Sequence, residues 1–281
     1  MKRRDALWRL GLGSLSALVH PARVLAAAQP QRLSRIGVQL YTVRQLMAQN
    51  VEETLRRVAE VGFTEVEFAG HFERTARSLR TTLDDAGLTS PASHLSLADF
   101  AADSASRTLE AAMSLGHRYV VIAWMDAAQR ASLDDWKRIA EQFNRIGEMT
   151  RSSGLRFAYH NHEYDHVPLE GRVPLDVLLE STDPSLVRVE LDLYWITKGG
   201  GDWRSYFDRW PGRFPMVHVK DSAGPPDHVM CDVGTGTIPF ANIFAQKGRA
   251  GIEHFFVEHD TPKDPIASIR SSYDYLRRLT F

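Results

Sequence analysis

The chain has 281 residues, of which 43% are hydrophobic, with a formal charge of -1 and a single cysteine. A chain of this length can bury a large core, either as one α/β barrel or as two smaller domains. The lone Cys231 excludes an intramolecular disulfide, and the near-neutral charge argues against the basic field that nucleic-acid binding needs.

The first thirty residues have the three parts of an export signal. Arg3 and Arg4 give a charged start, residues 10–19 a short apolar segment, and residues 26–28 a small-residue cleavage site. The arginine pair is typical of a twin-arginine (Tat) signal, which the Tat export machinery reads as an address. We therefore predict a signal peptide over residues 1–30 and a periplasmic or exported protein. The alternative, an N-terminal amphipathic helix or membrane anchor, is disfavoured because the apolar run is too short to span a bilayer stably.

Loss of residues 1–28 would remove five basic residues and one acid, which moves the formal charge from -1 to -5. We expect a mildly acidic mature protein that binds no nucleic acid and keeps no stable membrane anchor.

Beyond the signal, eight β-rich runs alternate with helical patterns at intervals of roughly 25 to 35 residues, the cadence of βα units. The predicted strands are 35–41, 64–69, 88–95, 117–124, 155–162, 186–194, 214–221 and 253–260. Apolar periodicity predicts a helix that stops at Gly62 and another that ends at Gly154. Eight such units without a linker between halves predict a single (β/α)8 TIM barrel over residues 31–281.

Alternation along each strand predicts which side chains face the barrel interior. In the strand 186–194, Val187, Val189 and Leu191 share the helix-facing parity, so Glu190 and Asp192 point inward. The same alternation predicts that nine further polar or aromatic side chains point inward: His160, His162, His218, Lys220, Glu258, Gln39, Tyr41, Glu67 and His94. These polar residues concentrate at the C-terminal strand ends, where barrel enzymes have their active sites.

Four of the inward residues are a candidate metal site: His160, Asp192, His218 and Glu258. Two imidazoles and two carboxylates suit a borderline divalent ion such as Mn, Co, Zn, Ni or Fe, with Mg also open. Each residue alone is more typical of a satisfied buried polar group. Four charges at equivalent heights would be costly to bury without an ion, so the set predicts one divalent metal.

Other residues near the strand ends are candidates for catalysis. His162 and Glu163 follow the fifth predicted strand and either contact substrate or face water. Lys220 lies two positions after His218 and either assists a substrate oxygen or forms a salt bridge to Glu190 or Asp192.

The remaining candidates would contact substrate. Tyr41, Trp124, Tyr194 and Trp195 would form an apolar wall for a sugar ring, or else belong to the core. Gln39, Glu67 and His94 are the polar substrate-binding candidates. The glycine-containing stretch 232–240 lacks both nucleotide-binding fingerprints and is interpreted as a loop that covers the site.

From about residue 33 to its end, the chain resembles the sugar phosphate isomerase/epimerase family of xylose isomerase-like barrels, also called the AP endonuclease 2 superfamily. The resembling stretches are GVQLYTVR, VEFAGHF, YHNHEYDH, ELDLYWITKGG, HVKD, VGTGTIPF and FFVEHD.

The resemblance implies a metal-dependent reaction. Epimerases of this family hold one divalent ion through Glu, Asp, His and Glu; the last three match Asp192, His218 and Glu258, whereas His160 replaces the first glutamate. Such epimerases use both glutamates as bases, and only Glu258 remains here, with Glu163 displaced by three residues. The HNH variant is similar to inosose dehydratase-like and keto-glycoside-processing branches.

By this resemblance, the ion would bind a ketone and an adjacent hydroxyl, Glu258 would take the α-proton, and an enediolate would form. His162, Glu163 and Lys220 are the candidates for returning the proton. We predict a sugar isomerase/epimerase-type enzyme acting on an unphosphorylated sugar or keto-glycoside. The alternatives are a keto-sugar lyase or dehydratase, an endonuclease IV-like phosphodiesterase, which would need a basic groove, and a non-catalytic carbohydrate-binding barrel.

Overall fold

The computed structural model describes residues 30–281, so the predicted signal segment up to residue 29 and its cleavage site lie outside the described residues. Within this part of the chain, the strands are β1 (Gly37–Gln39), β2 (Glu65–Ala69), β3 (Thr89–Leu95), β4 (Tyr119–Ile122), β5 (Arg156–His160), β6 (Val187–Asp192), β7 (Met216–Val219), β8 (Asp221–Ser222), β9 (Met230–Cys231) and β10 (His254–Val257).

The α-helices between the strands are α1 (Arg44–Gln49), α2 (Val51–Val61), α3 (Ala76–Ala86), α4 (Ala105–Leu115), α5 (Leu133–Ser152), α6 (Pro174–Ser181), α7 (Leu193–Lys198), α8 (Trp203–Arg209), α9 (Phe240–Phe244), α10 (Lys247–Ala250) and α11 (Pro265–Leu276). Short 3-10 helices cover Leu40–Val43, Leu97–Phe100, Ala127–Gln129 and Glu163–Asp165. None of the helices within residues 30–281 is long and apolar enough to cross a membrane.

Eight parallel strands close into a barrel in the order β1, β10, β7, β6, β5, β4, β3, β2, and the helices alternate with them along the chain. Each of these eight strands lies within one of the eight predicted runs, so the predicted (β/α)8 barrel is confirmed. The two remaining strands, β8 and β9, form a small antiparallel pair outside the barrel.

The predicted helix boundaries have local causes. The side chain of Asn50 accepts the backbone N–H of Glu53 at the start of α2, and Gly62 ends that helix in the left-handed region, with φ of +119°. Glycine adopts this conformation without the steric cost of a Cβ atom. At α5, the side chain of Ser132 accepts the N–H of Asp135 in a reciprocal capping pair.

Strand alternation divides the core into two apolar clusters, as predicted. The larger cluster holds the helix-facing residues, including Val187, Val189 and Leu191 of β6. The smaller cluster has the opposite parity and consists of Ala92, Tyr119, Val121, Ala158, Met216 and Phe256. These six side chains fill the barrel interior below its C-terminal end, so the polar residues of the same parity are gathered above an apolar plug.

The register between strands sets the height of each polar side chain. Asp192 is level with His218 across β6 and β7, and His160 is level with Glu190 across β5 and β6. Glu258 directly follows the end of β10, which pairs with β7. The interior therefore presents polar groups in more than one layer.

Candidate metal and sugar site

The histidine-rich stretch 159–166 carries one predicted metal ligand and also links the ends of two neighbouring strands. His160 is buried at the end of β5. Asn161 follows it, and its Oδ1 accepts the backbone N–H of Asp192 at 2.8 Å, while its Nδ2 lies 2.9 Å from Nε2 of His166. Asn161 thereby joins the ends of β5 and β6, which carry two of the predicted ligands.

Asp165 stabilises the turn that follows β5. Its carboxylate accepts the hydroxyl of Tyr159 at 2.9 and 3.1 Å and the backbone N–H of His162 at 2.5 Å. Burial raises the pKa of Asp165 to about 8, although both hydrogen bonds act in the opposite direction. This acid is turned away from the predicted ligands and shapes the loop instead.

The four predicted ligands, named here the upper set, converge inside the barrel: His160, Asp192, His218 and Glu258. Nε2 of His160 lies 3.7 Å from Oδ2 of Asp192, and Nδ1 of His218 lies 2.6 Å from Oε2 of Glu258. Ligand atoms of the last three residues lie within 4.8 Å of one another. The arrangement brings together side chains from four strands, as the parity analysis predicted.

The two carboxylate oxygens of Asp192 differ in their hydrogen bonding. Its Oδ1 accepts the N–H groups of Tyr194 and Trp195 at 2.8 and 2.9 Å, which caps the start of α7. Its Oδ2 is buried and accepts no hydrogen bond from the described residues. The ammonium nitrogen of Lys220 lies 3.1 Å from this oxygen, so within the described chain Oδ2 has an ion-pair neighbour but no hydrogen bond, while α7 fixes the carboxylate.

Lys220 lies next to the upper set rather than apart from it. Its Nζ lies 2.8 Å from Oε2 of Glu258, 3.1 Å from Oδ2 of Asp192 and 2.9 Å from Oδ1 of Asp260. Of the two salt-bridge partners considered for Lys220, Asp192 pairs with it and Glu190 does not. Asp260 was not predicted, although it has the parity of Glu258 in the predicted strand 253–260.

Burial and neighbouring charges shift the pKa values of the upper set. Burial lowers the pKa of His160 well below its usual value, which keeps this imidazole neutral and able to bind a metal. Burial raises the pKa of Asp192 to about 6, partly offset by Lys220. Burial alone would raise the pKa of Glu258, but the charges of Lys220 and His218 outweigh it and hold that pKa well below its usual value.

A second group of polar side chains lies beneath the upper set and is named here the lower layer: Glu67, His94 and Glu190. Oε2 of Glu190 lies 2.8 Å from Nε2 of His94, and Oε2 of Glu67 lies 2.7 Å from Nε2 of His218. Gln39 donates to Glu67 at 2.7 Å. Gln39 and Glu67 were predicted to bind substrate. Both are fully buried, and neither lines the cavity that opens above the upper set.

A cavity of about 500 Å³ opens above the upper set. Its walls include most of the predicted substrate-contacting and catalytic residues, and its full lining is Tyr41, His94, Ala123, Trp124, His160, His162, Glu163, Tyr164, Trp195, Lys220, Glu258 and Asp260. Tyr194 does not line it, and its hydroxyl donates to the carbonyl of His228 at 2.7 Å. Glu163 lies on the rim, where it pairs with Lys198 at 3.2 Å.

Aromatic rings form one wall of this cavity. The ring of Trp124 meets those of His162 and Tyr164 edge-on, at centroid distances of 5.1 and 5.6 Å, and His162 stacks parallel to Tyr164 at 5.5 Å. Trp195 lies 5.6 Å from His162. Trp124 is 55% exposed and presents a large apolar surface to whatever enters.

The glycine-containing stretch 232–240 does not line the cavity, contrary to the interpretation of a covering loop. The carboxylate of Asp221 accepts the N–H groups of Gly234, Gly236 and Ile238 at 2.9 to 3.1 Å. A single buried acid at the end of the HVKD motif therefore holds this loop beside β8.

The donor set of the upper set fits a divalent ion. It combines two imidazoles with two carboxylates, which is the mixture of ligands that borderline metals bind, and the ammonium of Lys220 lies beside both carboxylates. A second group of ligand atoms within 4.8 Å of one another comprises His94, His160, Glu190 and His218. Both groups use His160 and His218, so the two rings connect the two layers.

Comparison with known proteins identifies the family of the barrel. The family model described as xylose isomerase-like TIM barrel matches residues 55–279. Inosose dehydratase of Lacticaseibacillus casei is 31% identical over 88 residues, which are 31% of this chain and 29% of that protein. Inosose dehydratase of Geobacillus kaustophilus is 23% identical over 191 residues, covering 60% of this chain and 61% of that protein. The chain thus aligns with less than two thirds of the length of either relative.

The crystal structure of a sugar phosphate isomerase/epimerase from Parabacteroides distasonis superposes with a TM-score of 0.75. The two chains are 26% identical, and the alignment covers 90% of this chain and 96% of the other. The likeness therefore extends over nearly the whole barrel.

Proposed function

Because the chain belongs to the xylose isomerase-like TIM barrel family, we propose that it is a divalent-metal-dependent enzyme that removes a proton next to the carbonyl group of a small sugar. The observation that carries the proposal is the position of Glu258. Its carboxylate belongs to the upper set and also lines the cavity, so one side chain faces both an ion and a substrate.

The upper set would hold the ion, which we propose to be one of Mn, Co, Zn, Ni, Fe or Mg. A divalent ion bound there supplies positive charge that polarises a carbonyl group and favours loss of the neighbouring proton. The protein supplies rigidity: Asn161 fixes the backbone of Asp192, and α7 fixes its carboxylate.

Glu258 is the proposed base. Its pKa, held low by Lys220 and His218 against the effect of burial, keeps the carboxylate ionised at neutral pH. An ionised carboxylate on the cavity wall can accept a proton from a bound substrate. By the resemblance, His160 stands where two-glutamate epimerases of this family carry a second base, so another group must return the proton. The candidates are Lys220, His162 and Glu163, which line the same cavity.

A second candidate is elimination, in which loss of the α-proton expels a substituent from the β-carbon. Lys220 favours it, because a buried ammonium 2.8 Å from the base is placed to protonate a departing oxygen. The inosose dehydratases among the relatives carry out a dehydration by name. Elimination and isomerisation share the first proton transfer and differ only in the step that follows.

The cavity favours an unphosphorylated sugar or keto-glycoside. Among its lining residues, Lys220 is the one Lys or Arg side chain, and three carboxylates already surround it. A phosphate group would need additional donors of positive charge. The aromatic wall instead suits the apolar face of a sugar ring.

Solvent exchange tests the proposal. Purified protein loaded with Mn²⁺ or Co²⁺ is incubated in deuterated water with ketoses, inososes and 3-keto-glycosides, and products are analysed by NMR and mass spectrometry. We expect metal-dependent incorporation of deuterium at the α-carbon of a substrate. Release of a β-substituent identifies a lyase, whereas retention of it identifies an isomerase or epimerase. Turnover without any exchange would contradict proton abstraction.

A further inference from the structure

We infer that the lower layer positions the metal-binding imidazoles: Glu190 and Glu67 hold the inner N–H groups of His160 and His218, so that the opposite ring nitrogens face the ion. The inference rests on the proposed function, because it assigns a task to residues beneath the proposed metal site. Glu190 and Glu67 are positioning residues, and neither lines the cavity.

His160 shows the arrangement most simply. Its Nδ1 lies 3.1 Å from Oε2 of Glu190, and its Nε2 points the other way, 3.7 Å from Oδ2 of Asp192. An ionised carboxylate can only accept a hydrogen bond, so the ring nitrogen of His160 that faces Glu190 carries the proton. The lone pair then lies on Nε2, on the side of the upper set.

His218 repeats the arrangement with its ring reversed. Its Nε2 lies 2.7 Å from Oε2 of Glu67 and 3.1 Å from Oε2 of Glu190, whereas its Nδ1 faces Glu258. Two acceptors below the ring hold the proton on Nε2. In the metal-free protein Nδ1 also donates to the carboxylate of Glu258 at 2.6 Å, so an ion bound at Nδ1 would replace that second proton and leave the one on Nε2 in place. Hydrogen bonds of this kind to a ligand histidine fix its orientation and its tautomer.

Glu190 is the centre of the lower layer. Its Oε2 lies within 3.1 Å of ring nitrogens from His94, His160 and His218. The ring of His94 stacks on that of His218 at 5.1 Å with an interplanar angle of 10°. One carboxylate oxygen therefore orients three imidazoles, and the stacking limits rotation of the ring of His218.

The alternative is that the lower layer itself binds an ion through His94, His160, Glu190 and His218. That ion would need the ring nitrogens that now face Glu190 and would reverse both tautomers. It would also bind through Glu190, which lies beneath the cavity wall. Both groups reach the cavity, the alternative one through His94 and His160, but only the upper set has a carboxylate on the cavity wall, that of Glu258.

Three matched substitutions test the assignment: Glu190→Gln, Glu67→Gln and the control Glu65→Gln. Glu65 is the same residue type on the same strand as Glu67, is 2% exposed and pairs with Nδ1 of His254 at 2.9 Å. It belongs to neither the upper set nor the lower layer. Titration calorimetry with Mn²⁺, Co²⁺ or Zn²⁺ alone measures affinity and stoichiometry, and thermal melts of the metal-free proteins measure folding.

We expect one ion per wild-type chain and a loss of affinity of about 10- to 100-fold in the Glu190 and Glu67 variants. Glu65→Gln should keep wild-type affinity even if its melting temperature falls as much. Unchanged affinity in both lower-layer variants, or two ions per chain, would overturn the inference. Absence of metal binding by the wild type would instead overturn the proposed function.

A measurement on the wild type avoids dependence on how the variants fold. Long-range proton–nitrogen NMR of the ¹⁵N-histidine-labelled protein with Zn²⁺ reports which ring nitrogen holds a proton. We expect Nδ1–H for His160 and Nε2–H for His218. The reversed pair would show that the ion lies in the lower layer and would refute the assignment.

Discussion

The ammonium nitrogen of Lys220 lies 2.8 Å from Oε2 of Glu258 inside the barrel, and their side chains are only 3% and 5% exposed. The same nitrogen approaches Asp192 and Asp260, so one cation compensates three acids. A proposed proton acceptor thus has a potential proton donor as its immediate neighbour.

Lys220→Met should destabilise the metal-free protein by about 3 to 5 kcal/mol, because it leaves buried carboxylates without a counter-charge. A divalent ion should restore part of this loss by supplying the missing charge. Urea unfolding with and without Mn²⁺ measures both effects. Lys198→Met is the control, since Lys198 forms a more exposed pair with Glu163 that contributes at most about 1 kcal/mol. Equal losses in the two variants would contradict the compensating role of Lys220.

Glu258→Gln should keep the fold and part of the metal affinity but lose turnover by at least about 100-fold. An amide oxygen can still bind an ion, but it cannot accept the α-proton. Solvent deuterium exchange and turnover, each with the metal-loaded protein, measure the effect. Glu253→Gln, at the other end of β10 in a surface pair with Arg118, should retain activity. Nearly full activity in Glu258→Gln would remove Glu258 as the base.

Gly236→Ala should reduce stability by about 1 to 3 kcal/mol, because overpacking a filled site forces its surroundings to move. A methyl group at this position would overlap the carbonyl oxygen of Ser222 and the carboxylate of Asp221. Gly248→Ala is the matched control, since nothing lies within 4 Å of its added Cβ. Chemical denaturation compares the two, and a neutral Gly236→Ala would mean that the loop held by Asp221 is not tightly packed.

His117 should make stability depend on pH below neutrality. Burial lowers its pKa to about 4, from 6.5 for the free side chain, while its Nδ1 donates to the carbonyl of Ser90 at 2.8 Å. Between these values the unfolded chain binds the extra proton, so the contribution of His117, complete above pH 6.5, falls as the pH drops toward 4. The full change is about 3 kcal/mol.

His117→Asn keeps a donor toward Ser90 but cannot titrate. We expect its free energy of unfolding, measured by denaturant at pH 7.5 and pH 4.5, to fall less between the two pH values than that of the wild type. Identical pH dependence in the two proteins would show that His117 does not titrate differently on folding.

We propose export through the twin-arginine route with loss of residues 1 to about 28. Replacing Arg3 and Arg4 by lysine should leave precursor in the cytoplasm, as shown by fractionation and the mass of the product. Mature protein that still reaches the periplasm would contradict the twin-arginine assignment.

The sequence by itself determined the barrel and the inward orientation of the four residues of the upper set. Both follow from local regularities: eight βα units repeat along the chain, and alternation along a strand assigns every second side chain to the interior. His160, Asp192, His218 and Glu258 have the correct parity near strand ends, so their convergence was predictable.

The tertiary structure alone decided the height of each interior side chain and its partners. Glu67 and Asp192 have the same inward parity, yet one lies beneath the ring of His218 and the other faces Lys220. Parity cannot distinguish the two layers, because height depends on the stagger between neighbouring strands and on side-chain rotamers. Those quantities are set by closure of the whole barrel and by packing over the apolar plug, which no single stretch of sequence specifies.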